Sequence, residues 1–162
     1  MAKNYALIVD TENCIGCHAC EVTCKQEHSI PAGPRWIRVF QDGPKEIDGK
    51  MQLRYIARYC THCSRPPCKD ACPVEAISKR DDGIVLIDEG LCIGCKECIE
   101  ACPLGVMQFN NEQGVAQKCD LCVERIDLGL QPACVIACPS HCIYFGDVSE
   151  ITERLGKRRG GG

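Results

Sequence analysis

The chain has 162 residues, a formal net charge of −3, 45% hydrophobic residues and only 5% aromatic ones. That leaves room for one ordinary domain or two very small ones, gives no electrostatic case for a nucleic-acid partner, and supplies too little aromatic mass for a large apolar core. Seventeen residues are cysteine, a density at which disulfides or metal usually hold a chain together.

The N-terminal stretch MAKNYALIVDTENC carries neither a signal h-region nor paired arginines. No apolar run approaches the roughly 20 residues of a membrane-spanning helix, so no direct membrane insertion is expected. The chain reads as cytoplasmic, where thiols stay reduced and dense cysteines bind metal.

The first predicted element is a short apolar strand ending at Asp10. It leads into CIGCHACEVTC, with Cys14, Cys17, Cys20 and Cys24. Their C-x2-C-x2-C-x3-C spacing is that of the bacterial ferredoxin run that binds [4Fe–4S] clusters. Three closely spaced thiolates can curl around one face of a cubane. The x3 gap sets the fourth about one helical turn further on, facing away, where it serves a neighbouring cluster. Cys14, Cys17 and Cys20 therefore serve one site and Cys24 a second. Residues 25–57 then interrupt the pattern and read as a surface excursion with a strand pair around turns near DGP and DGK.

The second group, CTHCSRPPCKDACP, holds Cys60, Cys63, Cys68 and Cys72, with a wider gap before its third cysteine. CPVEAISK leads to a strand, KRDDGIV to a turn, and VLID to a strand ending at Asp88. The third group, CIGCKECIEACP, holds Cys92, Cys95, Cys98 and Cys102 and follows the ferredoxin run without deviation. After CPLGVMQF and the turn NNEQGV comes a split fourth group, Cys119 and Cys122 in CDLC, then Cys134 and Cys138 in CVIACP. Proline after Cys72, Cys102 and Cys138 stops a helix from continuing. The closing DVSEITERL is helix-like, with Ile151 and Leu155 four apart for packing or docking, and ERLGKRRGGG reads as a solvated end.

Two repeats run through this layout. Strand, aspartate and cluster loop recur at groups one and three, and CPVEAISK, CPLGVMQF and CPSHCIYF align with one another. In that alignment Cys142 takes the place of Ala76 and Val106, so it reads as a buried, non-ligating thiol. Zinc is the rival metal, but structural zinc sites use separated C-x2-C pairs or Cys/His mixtures. They need neither four C-x3-C endings nor three following prolines.

With all sixteen ligand positions filled by cysteine, His18, His28, His62 and His141 read as solvated or supporting rather than ligating. Lys25, Lys69, Lys96 and Lys118 flank ligand cysteines. They either raise cluster potentials or, as the favoured reading, form a solvated face. Trp36 and Ile37 anchor a partner or pack over a cluster. Neither G-x-G-x-x-G nor a P-loop is present, so any NAD or flavin chemistry belongs to another subunit, and no catalytic residue is expected in this chain.

In order and spacing, all four groups resemble the four-cluster iron–sulfur electron-transfer subunits of the dimethyl sulfoxide reductase and formate dehydrogenase type, over nearly the whole chain. The resemblance implies an α+β fold of two ferredoxin-like halves related by pseudo-symmetry, with a small cluster-organised core. Residues 1–57 with 113–162 would form one half, carrying the inserted segment 25–57, and residues 58–112 the other. Carried onto this sequence, site a is Cys14, Cys17, Cys20 with Cys138; site b is Cys119, Cys122, Cys134 with Cys24; site c is Cys60, Cys63, Cys68 with Cys102; site d is Cys92, Cys95, Cys98 with Cys72.

Some members replace a third-group cysteine and carry a three-iron centre; here all are present, so four [4Fe–4S] clusters are implied. They would form a wire in a non-catalytic subunit, between a molybdenum or tungsten pterin subunit and a redox partner such as a flavin/NAD subunit or a ferredoxin. Compact cytosolic subunits of this kind accompany tungsten aldehyde oxidoreductases, benzoyl-CoA reductase complexes, some hydrogenases and carbon monoxide dehydrogenases. The alternative is a free-standing polyferredoxin carrier, or an electron-transfer subunit of a hydrogenase or carbon monoxide dehydrogenase.

Overall fold

The proline that follows three of the four cysteine groups sets the length of the helices. In this computed structural model, which describes residues 3–159, α1 follows group one without a proline and runs nine residues, Ala19–Glu27. The helices of groups two and three, α2 (Pro67–Asp70) and α3 (Glu97–Glu100), run four, and α5 (Ala133–Ala137) of group four runs five. Each short helix ends ahead of Pro73, Pro103 or Pro139, because the residue before a proline is pushed out of helical geometry. The third cysteine of each group is the second residue of its helix: Cys20, Cys68, Cys98 and Cys134. All four are buried, at 7–8% exposure.

Among the described residues the strands come in four antiparallel pairs. β1 (Tyr5–Val9) pairs with β8 (Ile143–Asp147), joining the two ends of the chain. β2 (Ile37–Ile47) pairs with β3 (Lys50–Tyr59), β4 (Ile77–Lys79) with β5 (Val85–Ile87), and β6 (Gln108–Asn110) with β7 (Val115–Gln117). The strands expected before Asp10 and Asp88, and those after the three CP motifs, are thus present. Asp10 N–H donates to the Cys142 carbonyl and Asp88 N–H to the Ala76 carbonyl, both at 2.8 Å, so each aspartate is tied to the strand entry of another repeat. Asp10 and Asp88 then accept backbone N–H groups two residues on, starting the cluster loops as Asx turns. Two helices complete the order, α4 (Val123–Asp127) within the split of group four and α6 (Val148–Arg159) after β8. Ile151 on α6 is 1% exposed, so the apolar residues of the tail serve packing. Gly160, Gly161 and Gly162 of the basic end lie outside the described residues, as do Met1 and Ala2.

Residues 25–57 are less peripheral than the sequence suggests. DGK makes the hairpin turn, with Asp48 and Gly49 both at positive φ as a two-residue turn requires, while DGP interrupts the pairing between Asp42 and Lys45. The tip exposes Met51 and Leu53, but Trp36, Ile37 and Val39 at the root are buried. Trp36 stacks against His28 with ring centroids 4.5 Å apart, so it is a core residue and not a partner anchor. Glu21, 7% exposed, fastens this root to α1 by accepting from Val39 N–H and Arg35.

Among the described residues two apolar clusters form the core. One joins Leu7, Ile37, Leu121, Ile126 and Ile143 with Cys20, Cys24, Cys134 and Cys138. The other joins Ile77, Val85, Met107 and Ala116 with Cys68 and Cys98. Groups one and four thus share one core, groups two and three the other.

Candidate iron–sulfur sites

The residue before the second cysteine of every group has positive φ: Gly16, His62, Gly94 and Leu121. Left-handed residues in such loops turn backbone N–H groups inward, toward an anion. His62 N–H donates to Cys60 Sγ at 3.4 Å, and Leu121 N–H to the Cys119 thiol. At the far end of groups two and four the residue four positions on does the same: Ala76 N–H reaches Cys72 Sγ at 3.3 Å, and Cys142 N–H reaches Cys138.

Two cavities show which cysteines meet. One is lined by Cys24 with Cys119, Cys122 and Cys134, walled by Leu7, Ile37, Leu121 and Pro132, with His28 at its edge. The second gathers Cys72 with Cys92, Cys95 and Cys98 among Val74, Ile77, Ile87 and Ala116. In each, three cysteines of one group meet the last cysteine of another. Elsewhere the thiols are close enough to act on one another electrostatically. Cys20 lies beside Cys14 and Cys17, and Cys142, in contact with Cys138, lies beside Cys14. Cys60 lies beside Cys63 and Cys102, and Cys68 beside Cys60 and Cys102.

The groupings also touch in sequence. Cys134 lies near Cys20, linking the first cavity to group one, and Cys98 lies near Cys68. Tyr59, just before Cys60, lies near Cys119 and Cys134 while its hydroxyl donates to the Leu7 carbonyl at 3.0 Å.

The donor set fits iron–sulfur clusters. All seventeen thiols are free of disulfides. Burial pushes Cys20 and Cys134 up to about 12 and Cys98 and Cys122 up to about 11, and Cys24, Cys60, Cys68 and Cys119 move in the same direction. Thiols shifted this far are protonated at neutral pH, so they become thiolates only when a cation compensates them, and binding iron releases their protons. Cys138 is the exception. Burial acts to raise it, but hydrogen bonds from Ser140 and Cys142 outweigh that and lower it.

The histidines divide. His18 is half exposed and pairs with Glu21, and His141 is exposed. His28 places Nε2 3.3 Å from Cys122 Sγ and 3.5 Å from Asp120, oriented to support that thiolate. His62 is 7% exposed; its Nδ1 accepts Val85 N–H at 2.9 Å, which leaves the proton on Nε2, buried without a protein partner. Burial, then the charges of Lys118 and Lys79, hold His62 down to about 3, so it is neutral. An orphaned donor beside the Cys60 loop suits an anionic sulfur acceptor.

The lysines divide too. Lys69 and Lys96 are exposed, the latter over the Phe109 ring, and Lys25 is half-buried against the Pro31 carbonyl. Lys118 departs from the solvated face expected of it, being only 3% exposed. The sequence gives no hint of this, because Lys118 is buried by residues distant in the chain.

Comparison with known proteins agrees with this picture. Two family models described as 4Fe-4S dicluster domains match residues 51–148 and 13–76. A polysulfide reductase chain of Wolinella succinogenes is 37% identical over 97% of this chain and 83% of its own length. An anaerobic dimethyl sulfoxide reductase chain of Escherichia coli is 35% identical over 96% and 80%. A tetrathionate reductase subunit of Salmonella typhimurium is 37% identical over 93% and 61%.

Proposed function

Since the chain belongs to the four-cluster [4Fe–4S] electron-transfer subunits of the dimethyl sulfoxide reductase type, we propose that it is the wire between a catalytic molybdenum or tungsten pterin subunit and a further redox partner. Each cluster, when bound, supplies a one-electron redox centre. Sites a to d are held by the cysteine sets named above, with Cys24, Cys72, Cys102 and Cys138 each crossing to the neighbouring site. The observation that carries this assignment is the gathering of Cys24 with group four, and of Cys72 with group three, around single cavities. The apolar walls exclude water, and the inward N–H groups lower the cost of holding thiolates there. Thiol neighbours running from group one through the Cys119 cavity and Tyr59 to Cys60, and on to Cys98, support the order a, b, c, d.

The two halves are residues 1–57 with 113–162, and 58–112, related by pseudo-symmetry. The matching Asp10 and Asp88 bonds and the grouping of the cysteines into two core clusters favour that division, although Ile84 packs into the first cluster, Ala116 into the second, and the β6–β7 hairpin straddles the boundary. The three relatives are named for reductases of sulfur compounds, which favours a molybdenum subunit of that kind. Formate dehydrogenase-like and tungsten aldehyde oxidoreductase-like subunits are the other candidates, with a flavin/NAD subunit or a ferredoxin at the opposite end. Among the described residues no helix is long and apolar enough to cross a membrane, and we place the complex in the cytoplasm.

The test is the molybdenum and tungsten content of whatever co-purifies with the chain from its native cells under anaerobic conditions. Either metal in fixed ratio to iron supports the reading and identifies the catalytic class. Iron-rich chain without either metal, running as a monomer, refutes it in favour of a free carrier.

A further inference from the structure

A lysine buried without a carboxylate is expensive, because an ammonium ion loses far more solvation than two neutral acceptors return. Lys118 is in that position. It is 3% exposed, and its Nζ donates to two uncharged acceptors, the carbonyl of Val85 on β5 and that of Cys119 at 3.1 Å. None of the ion pairs among the described residues includes it. Its charge acts on the Cys60 and Cys68 thiols and favours their ionised forms. Lys118 therefore lies between a cysteine loop of each half, bonded to the backbone of Cys119 and facing the thiols of group two. Val85 holds the arrangement from one side: its carbonyl takes Lys118 and its N–H takes His62.

We propose that Lys118 is the buried counter-cation of site c, placed at the junction of the two halves, where it raises the reduction potential of the cluster held by Cys60, Cys63, Cys68 and Cys102. The anionic cluster supplies the compensating charge that the protein does not. A fixed positive charge at short range in a medium of low dielectric favours the more negative, reduced state of its neighbour. At the junction of the halves, the charge favours electron entry into site c from either neighbour. This rests on the ligand reading above.

The test is an EPR-monitored redox titration of the full chain carrying its clusters, in wild type, Lys118→Met, Lys118→Gln and Lys118→Arg, with iron counted in each. The expected result is one of the four reduction waves moving to lower potential in both neutral variants, with Arg restoring it. A neutral variant that loads only about twelve of sixteen irons, where Arg loads all, supports the same role. Four unchanged waves in Lys118→Met overturn it, as do equal shifts of all four or an Arg variant that behaves like Met. Wild-type chain with fewer than about twelve irons would instead refute the four-cluster reading itself.

Discussion

Cys142 shows how one side chain can be read from its neighbours. Its Sγ lies 3.5 Å from that of Cys138, yet the thiol is 2% exposed, and burial raises its pKa to about 12 despite the Ser140 hydrogen bond. Burial thus holds this thiol in its protonated form at pH 8. Native chain carrying its clusters should therefore yield no thiol to a maleimide or disulfide reagent at pH 8, and Cys142→Ala should keep its full iron content. A raised thiol pKa favours the fold below the unfolded value near 9 and loses that contribution as pH rises toward 12. Cys142→Ala should accordingly lose less stability than wild type between those limits, as measured by denaturation at increasing pH. Ala76, at the matching place in group two, already shows that a methyl suffices there. The burial of position 142 was legible from the repeat alone. His62 and Lys118 were not, because their burial depends on Val85, which the chain brings back from more than twenty residues away.

At the level of elements, ligand spacing and proline placement are local signals, and they carried the prediction of the four loops and helices. The nine-residue α1 against the four-residue α2 and α3 follows from a single difference, lysine or proline after the last cysteine. The inserted hairpin was legible as a strand pair but not as part of the core, since Trp36 and Ile37 give no sign in sequence of what they pack on. Gly94 tests the loop geometry. Its φ is +70, close to the +68 of Gly16, and a Cβ would stand 2.4 Å from the Gly114 carbonyl, a backbone atom with little freedom to move. At Gly105, φ is +59 and a Cβ meets nothing. Gly105→Ala should cost about 1 kcal/mol from conformation alone, and Gly94→Ala distinctly more. Loss of visible cluster absorbance in guanidinium would rank the two, and equal costs would mean that the loop does not press against the β6–β7 turn.

Over the whole molecule, two small cores with few aromatic residues can hold together only if the clusters take the place of side chains. Removing iron with a chelator under reducing conditions should therefore unfold the chain cooperatively, with loss of its far-ultraviolet circular dichroism. Retention of that signal would assign the stability to the apolar contacts. The same dependence explains why the order of the cysteine groups was readable while the partner was not: ligation fixes the interior of the wire, and its ends are set by surfaces that any acceptor could meet.

EPR of the fully reduced chain shows whether each C-x3-C cysteine leaves its own group for the neighbouring site. Cys24→Ala should reproduce the altered spectrum of Cys122→Ala, because both remove a ligand of the same cluster. A Cys24→Ala spectrum that instead matches Cys17→Ala would place Cys24 with its own group and rule out the crossing.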